Sequence, residues 1–288
     1  MSSMKEKMLK RFNHEKESDD KRVIPPLPGS LNIEITSACN HNCFFCPYHS
    51  NLLEKKVSPK YVDGNLVKRI LSEASQVGIG RNEVGFHMTG EPLLCKEFSE
   101  YVRYAKELGF SYVFTTTNGV PAIPARIEEI LDAGLDSIRF SVNGATAESY
   151  KAAHGSDDFD TVLEHIKYLH TYRKKAGKNI LVSLSFVITK QNKDEIPLIK
   201  EIFEPLVDEI AFIPVLLLDR FFPELDAVYS LPKENDAFEY TPCATAFNSM
   251  YISCEGYIVP CCTAIRSEDL IIADLKENVT LVEAWQGE

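Results

Sequence analysis

Short runs of Ile, Val, Phe and Thr alternate along the chain with stretches in which apolar residues recur at helical spacing. The extended runs are "LNIEIT" from residue 31, "EVGFHMT" from 83, "SYVFTTT" from 111, "DSIRFSV" from 136, "ILVSLSFVI" from 180 and "EIAFIPV" from 209. Between them lie amphipathic stripes, Leu66, Val67, Ile70, Leu71 and Ala74 in one, Phe159, Val162, Leu163, Ile166 and Leu169 in another. A further helix has Pro197 near its first turn, where proline is tolerated. Alternating strand and helix predicts a parallel sheet with right-handed helical crossovers. Six strands predict an α/β fold, a partial (β/α)6 TIM-like barrel. In such sheets chemistry gathers at the C-terminal strand ends. Here the first four strands run into "SACNHNC", "GEP", "NGV" and "NGA".

The pattern changes near residue 225. "NSMYIS" and "YIVPCC" flank "CEGY" and predict a hairpin with glycine at its corner, and "LVEAW" from 281 predicts a short helix. The expected organisation is an N-terminal extension over 1–28, a barrel over 29–225 and a hairpin-and-helix extension over 226–288. Residues 1–22 mix both charge signs without the apolar middle of a signal peptide, and no apolar run approaches the ~20 residues a membrane helix needs. The expectation is a cytoplasmic protein with no membrane partner. At 31 basic against 42 acidic side chains the formal charge is −11, with no basic block set apart from acids, which argues against nucleic acid.

Cysteine placement changes the picture. Of eight cysteines, three fall at positions 39, 43 and 46 and four at 243, 254, 261 and 262; Cys95 stands alone and reads as an inert buried thiol. In a cytoplasmic chain such clusters point to metal or redox chemistry before disulfides. Three thiols on the loop leaving the first strand suit zinc if His41 or His49 completes the tetrahedron. They suit an iron-sulfur cluster somewhat better, since such clusters are also held by closely spaced cysteines, and a cube held by three of them keeps one iron open.

"CNHNCFFC" resembles the signature of the radical S-adenosylmethionine enzymes, with Cys39, Cys43, Cys46 and the aromatic Phe45 in matching positions. "HMTGEPLL", "TTTNG" and "FSVNGATAESY" resemble, in order, the motifs that follow the family's second, third and fourth strands. The resemblance implies that Cys39, Cys43 and Cys46 hold a [4Fe-4S] cluster whose open iron chelates S-adenosylmethionine (SAM). One electron then cleaves the sulfonium to methionine and a 5'-deoxyadenosyl radical, which abstracts a substrate hydrogen. It implies that Gly90 lets backbone approach the cofactor, that Glu91 accepts from the methionine ammonium or ribose, that Asn118 and Ser141 add polar contacts, and that Phe45 lies near adenine. Thr89 stands where the family more often has glycine. The vacant iron makes His41 and His49 ordinary loop residues, with Tyr48 and His49 near the opening. An electron donor such as flavodoxin or ferredoxin is the implied partner.

The segment 243–262 resembles the SPASM or twitch extension of one branch, with Cys243, Gly256 and Cys261 matching ligands or turn of a second iron-sulfur cluster. That branch places further cysteines beyond the tryptophan helix, whereas this sequence has none after Trp285. Cys254 and Cys262 are the substitutes within the hairpin, or candidate hydrogen donors to a substrate radical. His87 is a candidate for the substrate cavity, with a hydrogen-bonded core histidine as the plainer alternative. The resulting expectation is a radical SAM oxidoreductase that dehydrogenates a sugar- or aminocyclitol-like substrate. A peptide-modifying enzyme performing oxidation, cross-linking or epimerisation is the alternative within the family. A non-catalytic iron-sulfur or zinc electron-transfer module is the alternative outside it.

Overall fold

A computed structural model describes residues 25–53, 57–215, 222–231, 244–264 and 267–287. Its strands are β1 (Ser30–Ile33), β2 (Glu83–Phe86), β3 (Val113–Thr117), β4 (Ser137–Ser141), β5 (Leu181–Ile188), β6 (Glu209–Pro214), β7 (Ser249–Ile252), β8 (Tyr257–Val259) and β9 (Ala273–Asp274). Its helices are α1 (Gly64–Val77), α2 (Phe98–Glu107), α3 (Pro124–Asp132), α4 (Ala147–His154), α5 (Phe159–Lys175), α6 (Ile196–Phe203), α7 (Pro223–Tyr229), α8 (Ala244–Asn248) and α9 (Leu281–Gln286). β1 to β6 are neighbours in chain order and parallel, the open barrel that the alternation predicts.

The predicted hairpin forms between β7 and β8, and Gly256 takes the positive φ its corner needs. It does not stand apart from the barrel. β7 pairs parallel to β1, Leu31 beside Met250 and Ile33 beside Ile252, so the sheet continues through β8 to β9 as nine strands. The final helix also reaches back, its Trp285 indole N–H donating to the carbonyl of Pro25.

Strand alternation divides the sheet into two faces. Leu31, Ile33, Val84, Phe86, Ile138, Phe140, Val182, Leu184 and Phe186 join the helices in one continuous apolar core. α1 shows the local logic. Asp63 caps its N-terminus by accepting from the Asn65 amide, Val67, Ile70, Leu71 and Ala74 face the core, and Gly78 ends it in the left-handed conformation. Burying each larger side chain contributes about 1.5–3 kcal/mol. The opposite face of the strands carries Asn32, Glu34, His87, Arg139, Ser141, Ser183 and Ser185 together with Phe114 and Tyr251, so the barrel interior mixes polar groups with aromatic rings. Among the described residues no helix is long and apolar enough to cross a membrane.

Candidate active site

The loop leaving β1 carries the first three cysteines, and neighbouring elements hold it through its backbone. The carbonyls of Ala153 and His154, at the C-terminus of α4, accept from the amides of Phe44 and Asn42 at 3.2 and 3.1 Å. These are carbonyls that a helix end leaves without intrahelical partners. The Cys46 amide donates to Cys43 O, closing a turn around the thiols. From the other side, the Glu91 amide donates to Ala38 O at 2.7 Å.

Gly90 makes that contact possible. A Cβ there would lie 2.2 Å from Thr36 O and 2.7 Å from Ala38 O, so only glycine allows the loop after β2 to press against the loop after β1. The close approach at Gly90 is therefore to this chain's own backbone.

Glu91 has a structural role as well. The carboxylate is buried and accepts from Thr117 Oγ1 at 2.7 Å, Asn118 N at 2.6 Å and Leu93 N at 3.0 Å. It clamps the loops after β2 and β3 together through three hydrogen bonds from its own chain. Burial pushes its carboxyl up to about 7, against the three hydrogen bonds that favour the anion. Asn118 does reach the cysteine loop, its amide donating to Asn40 Oδ1 at 2.8 Å and lying 4.0 Å from Cys39 Sγ. Ser141 ends β4 on the inner face, with Ser185 Oγ 3.5 Å away. Phe45 packs edge-on to Phe44 and against Val215 and Phe222, beside the ends of β5 and β6.

Cys39, Cys43 and Cys46 are reduced and desolvated. Burial pushes Cys39 up to about 11 and raises Cys43 and Cys46 as well, and for Cys39 and Cys43 neighbouring acidic groups add to this. Such thiols ionise only against a strongly positive centre, which a metal supplies. Among the described residues, only His41, Cys43 and His154 bring three ligand atoms within 4.8 Å. Three soft thiolate donors on one loop suit an iron-sulfur centre.

Two histidines differ from their expected roles. His41 is 1% exposed, so it is no ordinary loop residue. Its Nε2 lies 3.2 Å from Asp158 Oδ2 and its Nδ1 3.2 Å from His154 Nδ1. His49 is buried too. His154, which the sequence reading did not single out, stands 3.4 Å from Cys43 Sγ and stacks on Tyr150 at 4.1 Å. Burial lowers the pKa of both His41 and His154. His87 is hydrogen-bonded to Asn32 Oδ1 at 3.0 Å on the inner face, its ring 5.1 Å from Phe114. That joins the two alternatives, a bonded histidine that also lines the interior.

The C-terminal cysteines divide. Cys254 is buried at the hairpin turn, within the main core, its amide donating to Glu34 Oε2 at 3.0 Å. Glu34 also accepts from the Thr89 hydroxyl, so one buried carboxylate ties the loop after β2 to the hairpin. Cys261 and Cys262 leave the far end of β8 and pack with Tyr48, Tyr251 and Cys46, and Tyr48 donates to Cys262 O at 2.8 Å. Because Val259 pairs with Tyr251, Cys254 and the adjacent pair lie at opposite ends of the hairpin. The four-thiol hairpin site is not formed among the described residues, and Cys243 lies outside them. Cys95 is buried beside Glu97, as expected of an inert thiol.

The site is an open parallel barrel with three desolvated thiols on the loop after its first strand. The chain belongs to the radical SAM superfamily, which it matches over residues 33–202, and residues 243–288 match the SPASM iron-sulfur cluster-binding domain. Membership implies a [4Fe-4S] cluster and SAM as cofactors. A probable GTP 3',8-cyclase of Saccharolobus islandicus is 32% identical over 200 residues, 68% of this chain and 61% of that protein. The chain thus matches less than two thirds of the length of that relative.

Among solved structures, Streptococcus suis SuiB bound to precursor peptide SuiA shares 18% identity at TM-score 0.69, covering 91% of this chain and 65% of SuiB. BtrN in complex with AdoMet and 2-DOIA shares 17% at TM-score 0.54, covering 90% and 82%. These two likenesses are of fold.

Proposed function

We propose that this radical SAM enzyme takes a hydrogen atom from a small, hydroxyl-rich substrate held inside the barrel, and oxidises a sugar- or aminocyclitol-like alcohol. The observation that carries the reading is the set of polar side chains on the inner face, where Asn32, His87, Arg139, Ser141, Ser183 and Ser185 offer donors and acceptors beside the rings of Phe114 and Tyr251. Such a surface, with hydrogen-bonding groups set beside aromatic rings, matches a ligand that carries hydroxyls on a carbon ring.

Cys39, Cys43 and Cys46 would hold the cluster. When bound, it supplies the electron that cleaves SAM to methionine and the hydrogen-abstracting 5'-deoxyadenosyl group. The chain's own residues then position and shield. Asn118 and Ser141 border the cysteine loop and the inner face as polar SAM contacts, and Phe45 offers an aromatic wall for adenine. Gly90 and Glu91 hold the loops in register. His87, steadied by Asn32, orients substrate hydroxyls. Cys261 and Cys262, together with Cys243, are the candidate ligands of a second cluster that accepts the electron left on the oxidised substrate. An external donor of the flavodoxin or ferredoxin kind would reduce the first.

A second reading, radical rearrangement of a nucleotide, draws on the 32% identity to the probable GTP cyclase. Arg139 on the inner face would meet its phosphates. The experiment is anaerobic reconstitution with iron and sulfide, followed by dithionite, SAM and panels of cyclitols, sugars, nucleotides and peptides. Product two hydrogens lighter supports dehydrogenation, and unchanged mass with a nucleotide supports rearrangement. A protein that binds iron yet forms no 5'-deoxyadenosine with any reductant would sink both.

A further inference from the structure

We propose that His154 is a positioning residue for the cysteine loop: its Nδ1–H donates to Cys43 Sγ and raises the electron affinity of the iron-sulfur centre that this thiolate holds. The inference rests on reading Cys43 as a cluster ligand.

The tautomer follows from geometry. The backbone N–H of Asn143 donates to His154 Nε2 at 3.1 Å, so Nε2 carries the lone pair and the neutral ring has its one proton on Nδ1. That proton faces two acceptors, Cys43 Sγ at 3.4 Å and His41 Nδ1 at 3.2 Å. His41 in turn directs Nε2–H at Asp158 Oδ2, 3.2 Å away, which leaves its own Nδ1 as an acceptor. The hydrogen bonds from Asn143 and to Asp158 thus fix both tautomers and leave one proton between His154 and its two acceptors. With Cys43 ionised, an anionic sulfur competes with a neutral imidazole for one proton, and the charge-assisted bond to sulfur is favoured.

The ring has little freedom to turn away. It is 1% exposed, stacked on Tyr150 with planes 21° apart, and its own carbonyl accepts from Asn42 in the loop it serves. The same geometry excludes His41, Cys43 and His154 as a three-ligand metal site of their own, because both His154 nitrogens are engaged. A hydrogen bond to a ligating sulfur withdraws charge from it and makes the cluster easier to reduce, one of the levers that set cluster potentials.

The test is a redox titration of the reconstituted full chain, followed through the EPR signal that Cys43→Ala removes. His154→Leu should keep its iron while the reduction equilibrium constant falls about tenfold, a shift of ~59 mV to lower potential for a one-electron couple. His154→Asn, whose amide N–H overlies the Nδ1 position, should recover most of that loss. An unchanged midpoint in His154→Leu overturns the inference. If His154→Leu loads no iron, pulsed EPR of protein carrying isotopically labelled histidine decides. A nitrogen coupling present in the wild type and absent in His154→Asn supports the bond, and its absence from the wild type refutes it. A signal that survives Cys43→Ala would instead refute the ligand reading beneath it.

Discussion

The chain has two cysteine-bearing regions, and they are built differently. In the loop 39–46 all three thiols come from eight consecutive residues, and α4, the loop after β2 and Asn118 each grip that loop. In the hairpin, Cys254 sits at the turn among core residues while Cys261 and Cys262 emerge at the other end. A site drawn from one loop can be braced from every side without depending on its ligands to find one another. A site spread over a hairpin depends on segments distant in sequence.

The sharpest way to break this comparison is Cys43→Ala against Cys261→Ala. The first should abolish reductive SAM cleavage and the iron held by the loop, whereas the second should retain cleavage in the absence of substrate, measured as 5'-deoxyadenosine and iron per chain. Equal loss in both would show that the hairpin is as essential to cleavage as the loop. Next in size is Gly90→Ala. Its methyl meets backbone oxygens that cannot move aside, and the cost should be about 3 kcal/mol of stability, read by denaturant unfolding. An unaffected variant would mean the two loops do not press together. Glu91→Gln removes the anion and presents an amide to three donors, with an expected loss of about 2 kcal/mol and weaker SAM binding by calorimetry. The smallest effect belongs to Cys95→Ala, about 1 kcal/mol from a small buried void, with iron content unchanged.

Much of this was legible because it is local. Six strands, the helices over Leu66–Ala74 and Phe159–Leu169, and the hairpin follow from residues near one another in sequence, as does the spacing of the three cysteines. What sequence reading missed depends on distant contacts. His154 looks like a polar residue in a helix's last turn until Cys43 is found beside it, 111 positions away. Glu34 is the one charged residue in "LNIEIT", a signal that could have been followed, but its partners Thr89 and Cys254 come from other elements. That Glu91 also ties Thr117 and Asn118 together is visible only once β2 and β3 lie side by side. His41 reads as an ordinary loop residue once SAM takes the open iron, until α4 is seen to bury it against His154.

The parallel pairing of β1 with β7 has a consequence for biosynthesis. Its two strands are about 220 residues apart in the chain, the longest-range ladder in the sheet. At the usual pace of translation, roughly 5–20 residues per second, one flank of β1 waits on the order of ten to forty seconds for its neighbour. Throughout that interval the nascent chain presents an unpaired strand edge beside three reactive thiols, open to oxidation and to pairing with other chains. Closing the ladder completes the sheet on the flank of β1 opposite β2, so the vulnerable period ends only when the last strands of the sheet arrive.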